Sequence, residues 1–246
     1  MKPATLICAM LALAVATGPV AAQIPDEFTN LQILPKDIGK RELVDIMRNF
    51  AGALGVRCTH CHPGPTPGSL EDVDFATDEL EHKKVARAMM KMTGEINGTL
   101  LPATGRRSPM RVRCVTCHRG VSEPEPLDGM LSAVIDKQGV PAAVERYNEL
   151  REEYYGSASY DFSAGTLNHV AEKLAQEKED VDGAITLVKL NLEHNPDSAY
   201  THLMLGQLLA QKGDKAAAIA SVKRAIELDP ENRWAKQTLQ RLESSE

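Results

Sequence analysis

Four of the chain's five cysteines fall in two short runs, Cys58-Thr59-His60-Cys61-His62 and Cys114-Val115-Thr116-Cys117-His118. Each is a C-x-x-C pair followed at once by a histidine. Each pair could close as a disulfide, or the two together could hold Zn²⁺ as a Cys₄ site. Neither chemistry needs the histidines. Covalent haem attachment does: two thiols add to the two vinyl groups, and the next imidazole turns to the iron as an axial ligand. Two thioethers and one nitrogen on one macrocycle must come from a single tight turn, which accounts for the spacing. The motifs therefore favour two covalently bound c-type haems on Cys58, Cys61 and His62 and on Cys114, Cys117 and His118. Zinc is the leading alternative.

A sixth iron ligand must come from a neighbouring element. Upstream of the first motif, Leu43, Ile46, Met47, Phe50 and Leu54 recur at helical spacing and place Met47 on an apolar face. Upstream of the second, Val85, Met89, Met92 and Ile96 form another such stripe, with Met90 rotated away from it. A methionine at this spacing is either core filling or an iron ligand. His82 is a weaker ligand candidate, and His60, between the two cysteines of its motif, is expected to be exposed. Arg106, Arg107, Arg111, Arg113 and Arg119 crowd the second motif, where guanidinium groups could pair with haem propionates or form an exposed basic patch that steers an acidic partner.

The first residues read as an export signal: Lys2, an apolar stretch from Leu6 to Ala16, then Gly18-Pro19 and Val20-Ala21-Ala22. Cleavage before Gln23 removes Cys8 and leaves cysteines only in the two motifs. The expected location is periplasmic, an oxidising compartment outside the cytoplasm where c-type attachment takes place.

The run from Leu31 through His62, followed by "HKKVARAMMKMTGEIN" and "VRCVTCHRG", resembles the cytochrome c subunit of photosynthetic reaction centres, a family of tetrahaem periplasmic proteins built from helix-then-C-x-x-C-H units. The resemblance covers roughly residues 28 to 125. It implies that Met47 serves the first haem and Met92 the second, since the sixth ligand in that family is usually a methionine on the preceding helix. This chain has two motifs where the family has four. The stretch before the second motif, "GTLLPATGRRSPMRVRC", also lacks the histidine that serves a distant fourth haem in the family. A single haem pair is expected.

Of the 246 residues, 43% are hydrophobic and 25% charged, a globular composition, but only 4% are aromatic. A haem-binding segment can use its cofactor as core filler. The Pro-rich run at 120–129 has no periodicity and marks a boundary: signal peptide 1–22, dihaem cytochrome c domain 23–128, helical repeat domain 129–246. The formal charge of −6 resides mostly beyond residue 130. There, "DGAITLVKLNLEHNPDSAY" and "AAAIASVKRAIELDPENRW" align at a shift of 34, the tetratricopeptide period. Two repeats are predicted, 165–198 and 199–232, the first degenerate with Glu172 where a small residue is usual. A capping helix follows, and a further hairpin, Leu131–Gln138 and Pro141–Tyr155, precedes them. Tyr147, Tyr154, Tyr155, Tyr160 and Phe162 are candidate core anchors. Fold class is mostly α.

Taken together, the sequence predicts an electron carrier rather than an enzyme, because two six-coordinate irons leave no open position. Redox proteins are its expected partners, with a membrane redox complex as a candidate, and the repeat array serves docking. The acidic balance argues against nucleic acid. Two alternatives remain: a peroxidase-like dihaem enzyme with one open site, and a zinc-binding adaptor.

Overall fold

Gly55 ends the first helix, α1 (Lys40–Leu54), by adopting a left-handed φ of 68° that brings its N–H to Ala51 O. Glycine takes this conformation without Cβ strain. The apolar face of α1 turns inward: Leu43 is buried, and Ile46, Met47, Phe50 and Leu54 are half-buried. A 3₁₀ turn at Cys58–His60 and an irregular run lead to α2 (Glu81–Glu95), which continues through a π turn at Ile96–Leu100 into α3 (Leu101–Ala103). Then follow α4 (Cys114–His118), α5 (Leu127–Gln138), α6 (Val140–Tyr154), α7 (Ala164–Glu177), α8 (Val181–His194), α9 (Ala199–Gln211), α10 (Lys215–Leu228) and α11 (Arg233–Ser244). This computed structural model describes residues 24–66, 68–106 and 110–244. All regular elements among them are helical, and none is long and apolar enough to cross a membrane. The export signal, Cys8 and Arg107 lie outside the described residues.

The chain divides into two compact units between Cys114 and Val115, ahead of the boundary expected at 128/129. The Pro-rich run was read as a linker because it lacks periodicity, but it is anchored within the second unit. Val121 and Leu127 are buried, and Ser159 Oγ donates to Arg119 O at 2.7 Å.

In the second unit the helical hairpins repeat their capping chemistry as well as their apolar pattern. Asp180 and Asp214 open α8 and α10, their carboxylates accepting from Gly183 N and Ala217 N. Ser198 opens α9 by accepting from Thr201 N, and Asn232 Oδ1 accepts from Ala235 N in α11. These side chains satisfy N–H groups that no helix bonds internally. A Cβ on Gly206 would lie 2.5 Å from Val222 Cγ2 and 3.0 Å from Ala218 O, so only glycine lets α9 and α10 approach this closely. A continuous core runs from Leu127 and Leu131 through Leu167, Leu187 and Val188 to Leu208. Within it, Asn191 Nδ2 donates to Ala164 O and Asn168 Oδ1, both at 2.8 Å, and Asn168 Nδ2 donates to Thr201 Oγ1 at 2.9 Å, tying α7, α8 and α9 together. Tyr147 and Phe162 are buried with ring centroids 5.6 Å apart, and Tyr154 meets Tyr160 at 5.3 Å. Tyr155 departs from the expectation of a core anchor: it is 66% exposed, with the Arg151 guanidinium 3.9 Å above its ring.

Candidate functional site

The first motif is one turn of chain. Cys61 N and His62 N both donate to Cys58 O, at 3.2 and 3.1 Å, so the backbone of the three residues closes as a single turn. The His62 ring packs 5.1 Å from the Phe75 ring, and its buried Nδ1 has no hydrogen-bond partner. Burial, then the charge of Lys83, hold this imidazole below its usual pKa, which favours the neutral form a metal ligand requires. Burial pushes the Cys61 thiol up, with Lys83 opposing. His60 is half-buried, not exposed as expected: its ring stacks on His82 at 4.0 Å and 15°, and the His60 carbonyl lies 2.9 Å from His82 Nδ1. The stack forms because α2 starts against the motif's turn.

The second motif is helical, on α4. His118 Nδ1 lies 3.0 Å from Val121 O, so this backbone carbonyl orients the ring and leaves Nε2 for a metal. Just ahead of it, Asn97 acts as a two-point clamp: its Nδ2 donates to Val112 O and its Oδ1 accepts from Val112 N, each at 2.8 Å. This clamp ties the end of α2 to the strand of chain entering Cys114. Sequence reading missed it, although a lone polar Asn97 on the helix side that carries Thr93 and Met90 is its visible trace.

Helix α2 is turned in an informative way. Lys83, Ala86, Arg87, Met90 and Thr93 are half-buried and face the protein, while Val85, Met89 and Met92 are 47%, 40% and 48% exposed. The apolar stripe is thus left uncovered and is not core. No residue of α2 is buried, and among the described residues of the first unit only Leu43 and Ala53 are buried hydrophobics. A flat apolar cofactor fits this deficit, and the unbonded Nδ1 of the half-buried His62 ring is consistent with it. Met92 is accessible on the uncovered face; Met47 is half-buried on α1. Arg106, Arg111 and Arg113 are exposed, as is Arg119. The four described cysteines form no disulfide, and no three His, Cys, Asp or Glu side chains gather as a metal site among the described residues. Disulfide and Cys₄ zinc readings gain nothing from the geometry.

Residues 64–164 match the photosynthetic reaction centre cytochrome C subunit family. Residues 199–232 match the tetratricopeptide repeat, the same bounds read from the 34-residue shift. Cytochrome c-554 of Chloroflexus aurantiacus is 28% identical over 100 residues, 41% of this chain and 22% of that protein's length. The matched span covers α2 and the second motif and continues into the helical array, whereas the resemblance read from sequence began near residue 28. The first motif and Met47 lie outside it.

Proposed function

We propose that the chain is a periplasmic dihaem c-type cytochrome that passes electrons between protein partners, with the helical array as a docking element. The observation that carries this reading is the uncovered Val85–Met89–Met92 face, in a unit with almost no core of its own that also holds a C-x-x-C-H turn. The family match over the second motif supports it. Cys58 and Cys61 would hold one haem and Cys114 and Cys117 the other. His62 and His118 would ligate the irons, with Met47 and Met92 as their further ligands. Bound there, haem supplies a one-electron ferric/ferrous couple. The protein's own part is to fix the imidazoles, through the Cys58 turn and the Val121 carbonyl, and to exclude water. The Met47 and Met92 thioethers would complete the ligation of the irons, and irons filled in this way suit a carrier rather than a catalyst. Arg106, Arg107, Arg111 and Arg113 are assigned to the propionates or to an acidic partner.

Intact mass of the chain from a host with a c-type maturation system tests this. Two haem adducts are expected, one of them lost in Cys58→Ser with Cys61→Ser. An unmodified chain, or bound zinc, overturns the reading. A ligand-exchange spectrum with exogenous cyanide separates carrier from peroxidase-like enzyme, because rapid binding at one iron requires an open position.

A further inference from the structure

The inward face of α2 places two cations where the haem reading gives them nothing to do. Lys83 is only 12% exposed in its side chain and Arg87 14%. Lys83 Nζ donates to Phe75 O at 2.9 Å and to Thr77 O at 2.7 Å, and lies 3.6 Å from Asp78 Oδ1. Two carbonyls hold the ammonium in place, and the Asp78 carboxylate supports its charge against the burial that lowers its pKa. Arg87 Nη1 donates to Asp78 Oδ2 at 2.8 Å and its Nη2 to Asn30 O at 3.4 Å. Asn30 Nδ2 in turn donates to Asp78 Oδ1 at 3.0 Å. One carboxylate thus faces two cations. The residue whose carbonyl holds Lys83, Phe75, is also the one whose ring packs against His62 at 5.1 Å.

We propose that Lys83, backed by Arg87, is a fixed positive charge that positions the Phe75 wall against His62 and raises the reduction potential at the first motif. The argument rests on the haem reading above. Ferric iron carries one more positive charge than ferrous iron, so a nearby desolvated cation disfavours the ferric state. The charge lies one residue away from the ligand: Lys83 Nζ holds the Phe75 carbonyl at 2.9 Å, and the Phe75 ring meets His62 at 5.1 Å. The neighbouring carboxylate, Asp74, is exposed and accepts from Ala76 N and Thr77 N. The backbone of the second motif offers a different device, the Val121 carbonyl on His118. The two sites are therefore tuned by different means, and the first is expected to have its potential set by charge.

The test is a redox titration of the purified holoprotein, after intact mass has confirmed two haem adducts. Lys83→Gln keeps a donor for the carbonyls and removes the charge. It is expected to lower one of the two midpoints on the order of tenfold in the reduction equilibrium, ~59 mV for a one-electron couple, and to leave the other in place. Lys83→Arg, which keeps the charge, should restore the wild-type midpoint. Asp78→Asn leaves both cations uncompensated and should shift the same midpoint upward, so it decides the question where Lys83→Gln does not fold. Unmoved midpoints in Lys83→Gln and Asp78→Asn overturn the proposal, as does an equal shift of both midpoints. A Lys83→Arg shift as large as that of Lys83→Gln also overturns it, because it reveals a packing role alone. Absence of haem adducts overturns the cytochrome reading and this proposal with it, whereas unmoved midpoints in a protein that carries both adducts overturn the proposal alone.

Discussion

The two units solve the problem of a core in opposite ways. Beyond Val115 the chain fills its own interior, with Leu131, Leu167, Leu187, Val188 and Val222 fully buried and a satisfied Asn168–Asn191–Thr201 network between helices. Up to Cys114 it buries Leu43 and Ala53 and exposes a stripe that includes two methionines. Burial of apolar surface is the main driving force for folding, so the first unit is short of it and the second is not. One unit folds around its own side chains, whereas the other lacks a core of its own and, under the proposed function, is completed by a covalent cofactor.

The largest effect should come from withholding that cofactor. Produced without haem maturation, the chain should lose amide protection across α1 and α2 while α7 to α10 keep theirs, as read by hydrogen exchange. Equal protection of α1 and α2 with and without haem would break the comparison. The converse experiment weakens the array. Leu187→Ala should destabilise the second unit by about 2–5 kcal/mol, and Asn191→Ala, which strands Asn168, by about 1–3 kcal/mol. Denaturant melting by circular dichroism measures both, and a visible spectrum that changes alongside would show the units to be one.

A smaller, sharper test concerns the sixth ligands. A thioether stabilises ferrous iron better than imidazole does. Met92→His should therefore lower one midpoint and Met47→His the other, while Met89→Leu and Met90→Leu, similar in volume, change packing alone. Spectroelectrochemistry with the weak long-wavelength ferric band of iron–thioether bonding measures this. If the band is lost in Met90→Leu and kept in Met92→His, the inward face of α2 carries the ligand and the uncovered stripe does not.

Much of the array was legible because its constraints are local and periodic. Gly206, Ala218 and Ala225 are small where helices touch, and that need recurs at the repeat spacing. The motifs were legible for a similar reason, since a single turn joins Cys58, Cys61 and His62. Features that join distant segments were not. Asp78 is bonded to Asn30 and Arg87, and His60 meets His82, through a fold of irregular chain that has no period to read. The packing of the Pro-rich run was hidden for want of the same information: nothing in "GVSEPEPLDG" announces that Val121 is buried. Helical periodicity located the apolar stripe of α2, but it could not say that the opposite face, with Lys83 and Arg87, is the one turned inward.

The smallest expected effect lies in the acid response of the first unit's N-terminal segment. The Arg87 hydrogen bond, with Arg87, Lys83 and Asn30 around it, pulls the Asp78 carboxyl down to about 2. An unfolded aspartate titrates near ~3.9. A carboxyl depressed on folding contributes stability that is fully present above the unfolded value and is lost as pH falls through the folded one. The tie from Asp78 to Asn30, and through it to the chain before α1, should therefore hold at pH 5 and loosen from about pH 4 toward pH 2. Amide exchange of residues 28–34 measures this directly. In Asp78→Asn the same segment should be looser at pH 5 and should lose its acid dependence, because no carboxylate remains to protonate. If the segment responds to acid equally in the variant, other carboxylates hold it, and the cluster around Lys83 is less rigid than its hydrogen bonds imply.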